Sequence, residues 1–443
     1  AGLLALAIAL LWALHPLRAE PVAWVTASTY PLAAVFLLGS FCAYLGAHRN
    51  AGLTPTFGWL AAAWICAIAA YASYPVAATY GFWLMAADRW LLKAAPDRWW
   101  ILGSATVRRW WGKHALFLAP AAVAVGFTVW TRLKTPGIFG EAPTLLSVDA
   151  GSRFLTALAT IAYFPLRLFW PAGLTPNMPP LHGGALGNAL VPVLASMAAL
   201  ALGLVGGQRR TRPGLALVVF GFVALSVPCL GLTERPNWPV DRYSYLVDLV
   251  LAGGLAGGGL AWTRANPRWG AWVGGTAAIA GLLVCGTLAR RQIAIWHDTD
   301  ALFAAMERAP GFADNPVQAG YIYFLWGRHA TISAQPVRAA EMFGRAQAVY
   351  RAAMVAAVRR GDYDEALKTI SHLEGHFGLT PELRREKAAW LLRVSRPEEA
   401  LRELRVAGQA LPGDARVRAL TEEAERAAGA GRSRARPGGK EGS

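Results

Sequence analysis

Ten stretches of this chain are apolar enough to enter a bilayer: Ala1–Leu14, Val22–Ala47, Phe57–Ser73, Tyr74–Leu92, His114–Thr131, Phe154–Trp170, Asn188–Gly206, Gly214–Leu232, Tyr243–Trp262 and Gly270–Ala289. A crossing helix needs about 20 such residues. Hydrocarbon offers the backbone no hydrogen-bond partner, so these stretches must satisfy their own N–H and C=O groups as helices. Only 16% of the residues are charged, against about 25% in soluble domains, and most of the acids follow residue 290. One soluble enzyme domain is excluded, and so is a disordered chain, because 55% of the residues are hydrophobic. The opening run Ala1–Leu14 lacks a basic flank and a small-residue cleavage site, so it does not read as a signal peptide. We expect it to be the tail of a span that begins earlier.

The formal charge of +16 would suggest nucleic acid if the basic residues shared one soluble face. Instead they lie in short clusters between spans and on the C-terminal segment, so no nucleic-acid partner is expected. Cys42, Cys66, Cys229 and Cys285 fall inside apolar spans without metal-ligand spacing, and they read as small buried hydrophobes. Trp99, Trp100, Trp110, Trp111, Trp262, Trp269 and Trp272 flank spans as an interfacial aromatic belt does. Gly253, Gly254, Gly257, Gly258 and Gly259 have the spacing that lets helices approach closely.

After Ala289 the character changes. Gly361-Asp362-Tyr363-Asp364-Glu365-Ala366-Leu367 is echoed by Ser395-Arg396-Pro397-Glu398-Glu399-Ala400-Leu401 at an offset of 34, the period of a tetratricopeptide repeat. An irregular earlier unit, Gly320–Tyr350, has a similar helix start at Pro336–Ala340. Stacked helix pairs of this kind present a concave face, so a protein or peptide partner is expected there. The alternative is an ordinary stack of helical hairpins. The expected organisation is a membrane domain over 1–289, a repeat domain over 290–428 and a disordered basic tail over 429–443. The fold class is all-α: a polytopic transmembrane helical bundle followed by a tetratricopeptide-repeat α-solenoid.

Several loops add a resemblance. Ala13–Trp24, with its His15-Pro16 start and Glu20, is similar to a hallmark of bacterial membrane proteins with tetratricopeptide repeats. These are related to the transmembrane-and-tetratricopeptide-repeat O-mannosyltransferases of the GT-C superfamily. Ser73-Tyr74-Pro75-Val76 with Asp88-Arg89-Trp90, then Lys113–Pro120, Arg153, Phe169–Leu174, Val240–Leu246 and Trp296-His297-Asp298 resemble further segments in the same order. There are departures: Tyr74, Gly112 and Val247 stand where the family carries Lys, Glu and Pro. The family's charged run after the His-Pro loop is Ala27-Ser28-Thr29-Tyr30 here. The first external loop, which bears the superfamily's acidic catalytic residue, would precede Ala1, so this polypeptide is expected to be incomplete or inactive alone.

The resemblance implies transfer of a sugar from a polyprenyl phosphate to a protein acceptor at the outer face of a bacterial inner membrane. Such chemistry needs a carboxylate for the acceptor hydroxyl, and cationic groups or a divalent metal ion beside the leaving phosphate. Glu20 is the candidate carboxylate, with His15 and Arg18 as neighbours. Arg242 is the candidate phosphate ligand, held by Asp241, and Tyr243 and Tyr245 are candidates to line a sugar or lipid site. The plainer reading pairs each charge within its own loop, Glu20 with Arg18 and Arg242 with Asp241, and makes the tyrosines belt residues. His182 and His297 receive no role. A second function class is a non-catalytic membrane anchor whose repeats assemble an envelope complex. If the His15–Glu20 loop is external and Phe154–Trp170 is embedded without crossing, twelve basic loop residues lie inside against seven outside, as the positive-inside rule requires. The repeats then fall outside, in the periplasm.

Overall fold

A computed structural model describes residues 2–49, 53–101, 103–134, 150–171, 174, 212–230, 240–309 and 311–434. Among these no strand occurs, and the α-helices run α1 Gly2–Ala13, α2 Ala19–Ala23, α3 Thr29–Arg49, α4 Leu53–Ser73, α5 Tyr80–Trp90, α6 Ala105–Lys134, α7 Ala150–Phe169, α8 Arg212–Ser226, α9 Ser244–Ala265 and α10 Gly270–Ile295. They continue as α11 Thr299–Glu307, α12 Pro316–Ile332, α13 Pro336–Arg359, α14 Tyr363–Phe377, α15 Pro381–Arg393, α16 Pro397–Ala410 and α17 Ala415–Arg434.

Five described helical stretches are long and apolar enough to cross a membrane: Val25–Arg49, Thr56–Ser73, Ala105–Thr131, Asp241–Ala265 and Gly270–Ile295. A sixth is counted if Gly2–Ala13 and Pro16–Ala23, bent by 57°, act as one broken span. Lipid explains their surfaces. Along α10 only Gly270 is buried, and Ile279, Leu283 and Val284 lie exposed, an apolar exterior that water would penalise and hydrocarbon does not. Cys229 alone among the cysteines is buried; Cys42 is exposed and the others are half-buried, because their helix faces turn outward.

One expected span is corrected. The stretch Tyr74–Leu92 is broken: Pro75 starts a 3-10 turn to Thr79, and α5 is only 11 residues long. Phe154–Trp170 forms α7, which is not among the helices apolar enough to span. The chain divides into compact units between Pro310 and Gly311. α10 carries on past Arg290–Arg291 to Ile295, and α11 packs against it. The Asn188–Gly206 span, His182, Arg209, Arg210 and Arg235 lie outside the described residues.

Within the first unit, α3 and α4 pack together along their length, and α9 packs against α1, α3, α7, α8 and α10. Their common core includes Tyr30, Tyr44, Tyr80, Phe164 and Leu246. Of the glycines in α9, Gly254 meets Val218 of α8, while Gly253, Gly257 and Gly258 face open space.

The second unit is a succession of helices in which α12 to α17 each pack on the next. Ala366 and Ala400, the recurring small positions, are both fully buried. At Gly320 a Cβ would come within 2.6 Å of the Tyr350 ring, so that contact between α12 and α13 requires glycine. Ala334, Gly361 and Ser395 each sit two residues before a helix start with φ of 55°, 74° and 59°. After each, the next N–H bonds back five residues, Gln335 to Ala330, Asp362 to Ala357 and Arg396 to Leu391. This is one left-handed helix-ending turn used three times. α17 reaches Arg434, so the part of the expected tail up to that point is helical.

Candidate functional site

Two of the loop segments singled out in sequence, Ala13–Trp24 and Val240–Leu246, meet at one end of the first unit. His15 precedes the 3-10 turn Pro16–Arg18 in extended conformation; its Nδ1 accepts from the Leu17 N–H at 3.3 Å. Its Nε2 lies 2.9 Å from the Leu168 carbonyl oxygen. That oxygen can only accept, so Nε2 carries the proton and the ring is neutral. His15 therefore ties the start of the loop to the end of α7.

The turn then points Arg18 inward. Its Nη2 lies 2.5 Å from Asp248 Oδ2, with side-chain exposures of 4% and 0%. Its guanidinium is also 5.1 Å from the ring centres of both Trp12 and Tyr245. Glu20, on α2, reaches instead to the start of α9. Arg242 Nη1 donates to Glu20 Oε1 at 2.7 Å, and the Arg242 backbone N–H donates to Oε2 at 3.1 Å. The Arg242 guanidinium rests 5.0 Å from the Trp24 ring and 5.3 Å from that of Tyr243. Asp241 accepts a hydrogen bond from the Tyr163 hydroxyl of α7, and Arg167 lies over the same tyrosine ring at 5.2 Å. Tyr243 packs on Tyr30, whose hydroxyl donates to that of Tyr74 at 2.8 Å.

All seven expected residues thus belong to one cluster, but the pairings are not local. Arg18 takes Asp248, Glu20 takes Arg242, and Asp241 takes Tyr163 rather than holding Arg242. Side chains one or two positions apart on a helical turn project in different directions, so each charge finds its partner on another segment. Burial in an apolar surround enforces the pairing, since an unpaired ion there costs several kcal/mol.

Asp248 and Tyr163 were not expected in the cluster. For Asp248 a signal existed: it is an acid inside the span Tyr243–Trp262, and ionisable residues at membrane depth pair or function. For Tyr163 nothing in the sequence separates it from a belt tyrosine.

A second polar cluster lies at the far end of α3. Asp88, with no solvent exposure, accepts from Tyr44 at 2.7 Å, Trp110 at 2.8 Å and Lys113 at 2.5 Å, and pairs with His114 Nε2 at 2.9 Å. Its donors come from α3 and α6, so one carboxylate stitches both helices to α5. Among the described residues no three His, Cys, Asp or Glu side chains are placed to hold a metal ion, and the carboxylates of both clusters already accept from arginine, lysine or tyrosine.

In the second unit a cavity of about 510 Å³ lies between α13 and α15, lined by Met354, Val358, Leu383 and Trp390, with Arg351 and Glu386 among its polar groups. Exposed His297 bonds only Asp298. Comparison with protein-family models, curated proteins and solved structures returns no match for this chain.

Proposed function

We propose that this chain is a GT-C-like membrane glycosyltransferase homologue that uses a polyprenyl-phosphate sugar as donor and a protein as acceptor, in the bacterial inner membrane. The observation that carries the reading is the meeting of Glu20 and Arg242, 222 positions apart. A transfer site needs an acceptor-side carboxylate and a phosphate-side cation within a few ångströms, so that hydroxyl, sugar carbon and leaving oxygen align. In this reading Glu20 takes the acceptor proton and Arg242 grips the phosphate. The Arg18–Asp248 pair, with Tyr245 stacked against the guanidinium, frames the floor of the site. His15 orients the loop, Asp241 anchors α7 through Tyr163, and Tyr243 backs Arg242.

Within the first unit the path of the chain returns to this site. α9 starts at the cluster and α10 returns to it, ending where Trp296 stacks on Trp24 with ring centres 6.3 Å apart. The last span thus ends on the side of Glu20, and in this reading that side is the periplasmic one, in keeping with the excess of basic residues in the other loops.

The test is transfer from a radiolabelled polyprenyl-phosphate sugar to membrane-protein acceptors by the full-length protein in lipid, since this polypeptide is expected to be incomplete or inactive alone. Arg242→Lys keeps charge but loses the planar two-pronged geometry, so transfer falls by tenfold or more, on the order of one lost charge-assisted hydrogen bond, with folding intact. No transfer by the unaltered full-length protein would favour the second reading, a membrane-anchored repeat protein that assembles an envelope complex. That reading draws on the apolar cavity between α13 and α15 and on the ion pairs that Glu20, Asp248 and Asp88 already make.

A further inference from the structure

The Glu20–Arg242 pair poses a difficulty for any phosphate ligand, because the carboxylate already neutralises the guanidinium and holds its Nη1. Both oxygens of Glu20 are committed, one to Nη1 and one to the backbone N–H of Arg242. The two partners are unequally accessible, however. The Glu20 side chain is 4% exposed, whereas that of Arg242 is 21% exposed. Among the described residues, no hydrogen bond to protein engages Nε or Nη2 of Arg242.

The surroundings of that open edge are amphiphilic. Trp24, on which the guanidinium rests, is 40% exposed, and its neighbours Val22 and Val25 are 65% and 82% exposed. A cation over the ring of an indole, with exposed aliphatic side chains on either side, suits a molecule with an anionic head and a hydrocarbon tail. Neither the charge nor the apolar lip alone would select one.

Resting on the lipid-phosphate reading above, we infer that Glu20 is an internal competitor for Arg242: a polyprenyl phosphate displaces it from the guanidinium, and the displacement delivers the carboxylate to the acceptor. The exchange breaks no covalent bond. Phosphate oxygens replace Oε1 at the guanidinium, and Glu20, no longer neutralised, becomes free to accept a hydroxyl proton. Transfer then follows with the acceptor oxygen bonding to the sugar carbon as the bond from that carbon to the phosphate oxygen breaks. The electron pair goes to the phosphate held by Arg242, and the acceptor proton goes to Glu20. A site without donor lipid keeps its base neutralised, so it does not promote attack by water or a stray hydroxyl.

The inference has a sign that ordinary ligand contacts lack. A self-bound site binds its ligand with an affinity reduced by the fraction of open molecules, and removing the competitor restores it. Polyprenyl monophosphate is titrated into the full chain in nanodiscs, with polyprenyl alcohol and inorganic phosphate as the other arms. The expected result is binding of the phosphate lipid alone, about tenfold tighter in Glu20→Gln and lost in Arg242→Gln. Gln has the shape of Glu and keeps an acceptor for Arg242, and a thermal melt checks that the variant is folded. Should it not fold, the unaltered chain carrying 13C-carboxyl glutamate serves: phosphate lipid must shift an ion-paired carboxylate band that the alcohol leaves in place.

Equal or weaker binding by folded Glu20→Gln, or an unmoved band, overturns the competitor and leaves the lipid-phosphate reading standing. Equal binding of the alcohol overturns the role of the phosphate. Equal binding of inorganic phosphate overturns that of the lipid tail. Absence of binding by the unaltered chain defeats the lipid-phosphate reading itself.

Discussion

Gly361 and Ser395 occupy the same place in two turns 34 positions apart, and both hold φ in the left-handed region, at 74° and 59°. The conformation costs a residue with a Cβ about 1–2 kcal/mol, and glycine nothing. Ser395→Gly is therefore expected to stabilise the second unit, by about 0.5–1 kcal/mol after the extra chain entropy of glycine is subtracted. Ala334→Gly should act in the same direction. Chemical denaturation of each variant measures this, and a lower midpoint would mean that the turn is not strained.

Residues 311–434 have a core of their own, including Tyr350, Ile370, Leu373 and Leu404, so the segment expressed alone should give a helical circular dichroism spectrum and a cooperative melt. Within it Ala366 is fully buried. Ala366→Leu should cost about 1–3 kcal/mol by overpacking, and Ala366→Ser far less. Equal melting of the two would separate the repeat in sequence from any repeat in packing.

The same segment should lose stability in acid. Burial pushes the Glu403 carboxyl up, but hydrogen bonds from Lys387 and Arg384 outweigh it and hold the group below its ordinary 4.5. A depressed carboxylate contributes stability that is complete above its unfolded value and lost as pH falls through the folded one. Asp414 behaves alike, held down first by the Val417 N–H. Melting temperature should thus fall as pH drops below about 4.5, and less steeply in Glu403→Gln. Equal slopes would mean that Glu403 titrates as it does in the unfolded chain.

In the first unit, Asp248→Leu alone leaves Arg18 buried without its anion and should cost about 3–5 kcal/mol. Arg18→Leu with Asp248→Leu removes both charges and should recover much of that loss. Thermal melts in detergent compare them. A double variant no better than the single one would show that Arg18 is needed for its contacts with Trp12 and Tyr245 rather than for its charge.

Ser371 is exposed on α14. In Ser371→Cys, the introduced thiol should react with a membrane-impermeant reagent in cells whose inner membrane is intact. Protection until lysis would place the repeats inside and remove them from the side proposed for the site.

Much of this architecture was legible in the sequence because its causes are local. Long apolar runs become helices wherever water is absent, so the spans at Val25–Arg49 and Gly270–Ile295 could be read directly. The turns at Gly361 and Ser395 repeat because their flanking residues repeat, and Ala366 and Ala400 are buried because a small side chain recurs at each. The resemblance of its loops to a known family also brought His15, Arg18, Glu20, Asp241, Arg242, Tyr243 and Tyr245 forward as one group. It did not carry the pairing. Glu20 lies two residues from Arg18 and Arg242 one residue from Asp241, yet Glu20 and Arg242 choose each other across 222 positions. Adjacent side chains on a turn diverge, and each ion is neutralised by whichever helix end packs against its face. That choice is made by the assembled bundle, since an apolar interior leaves no charge free to wait for water.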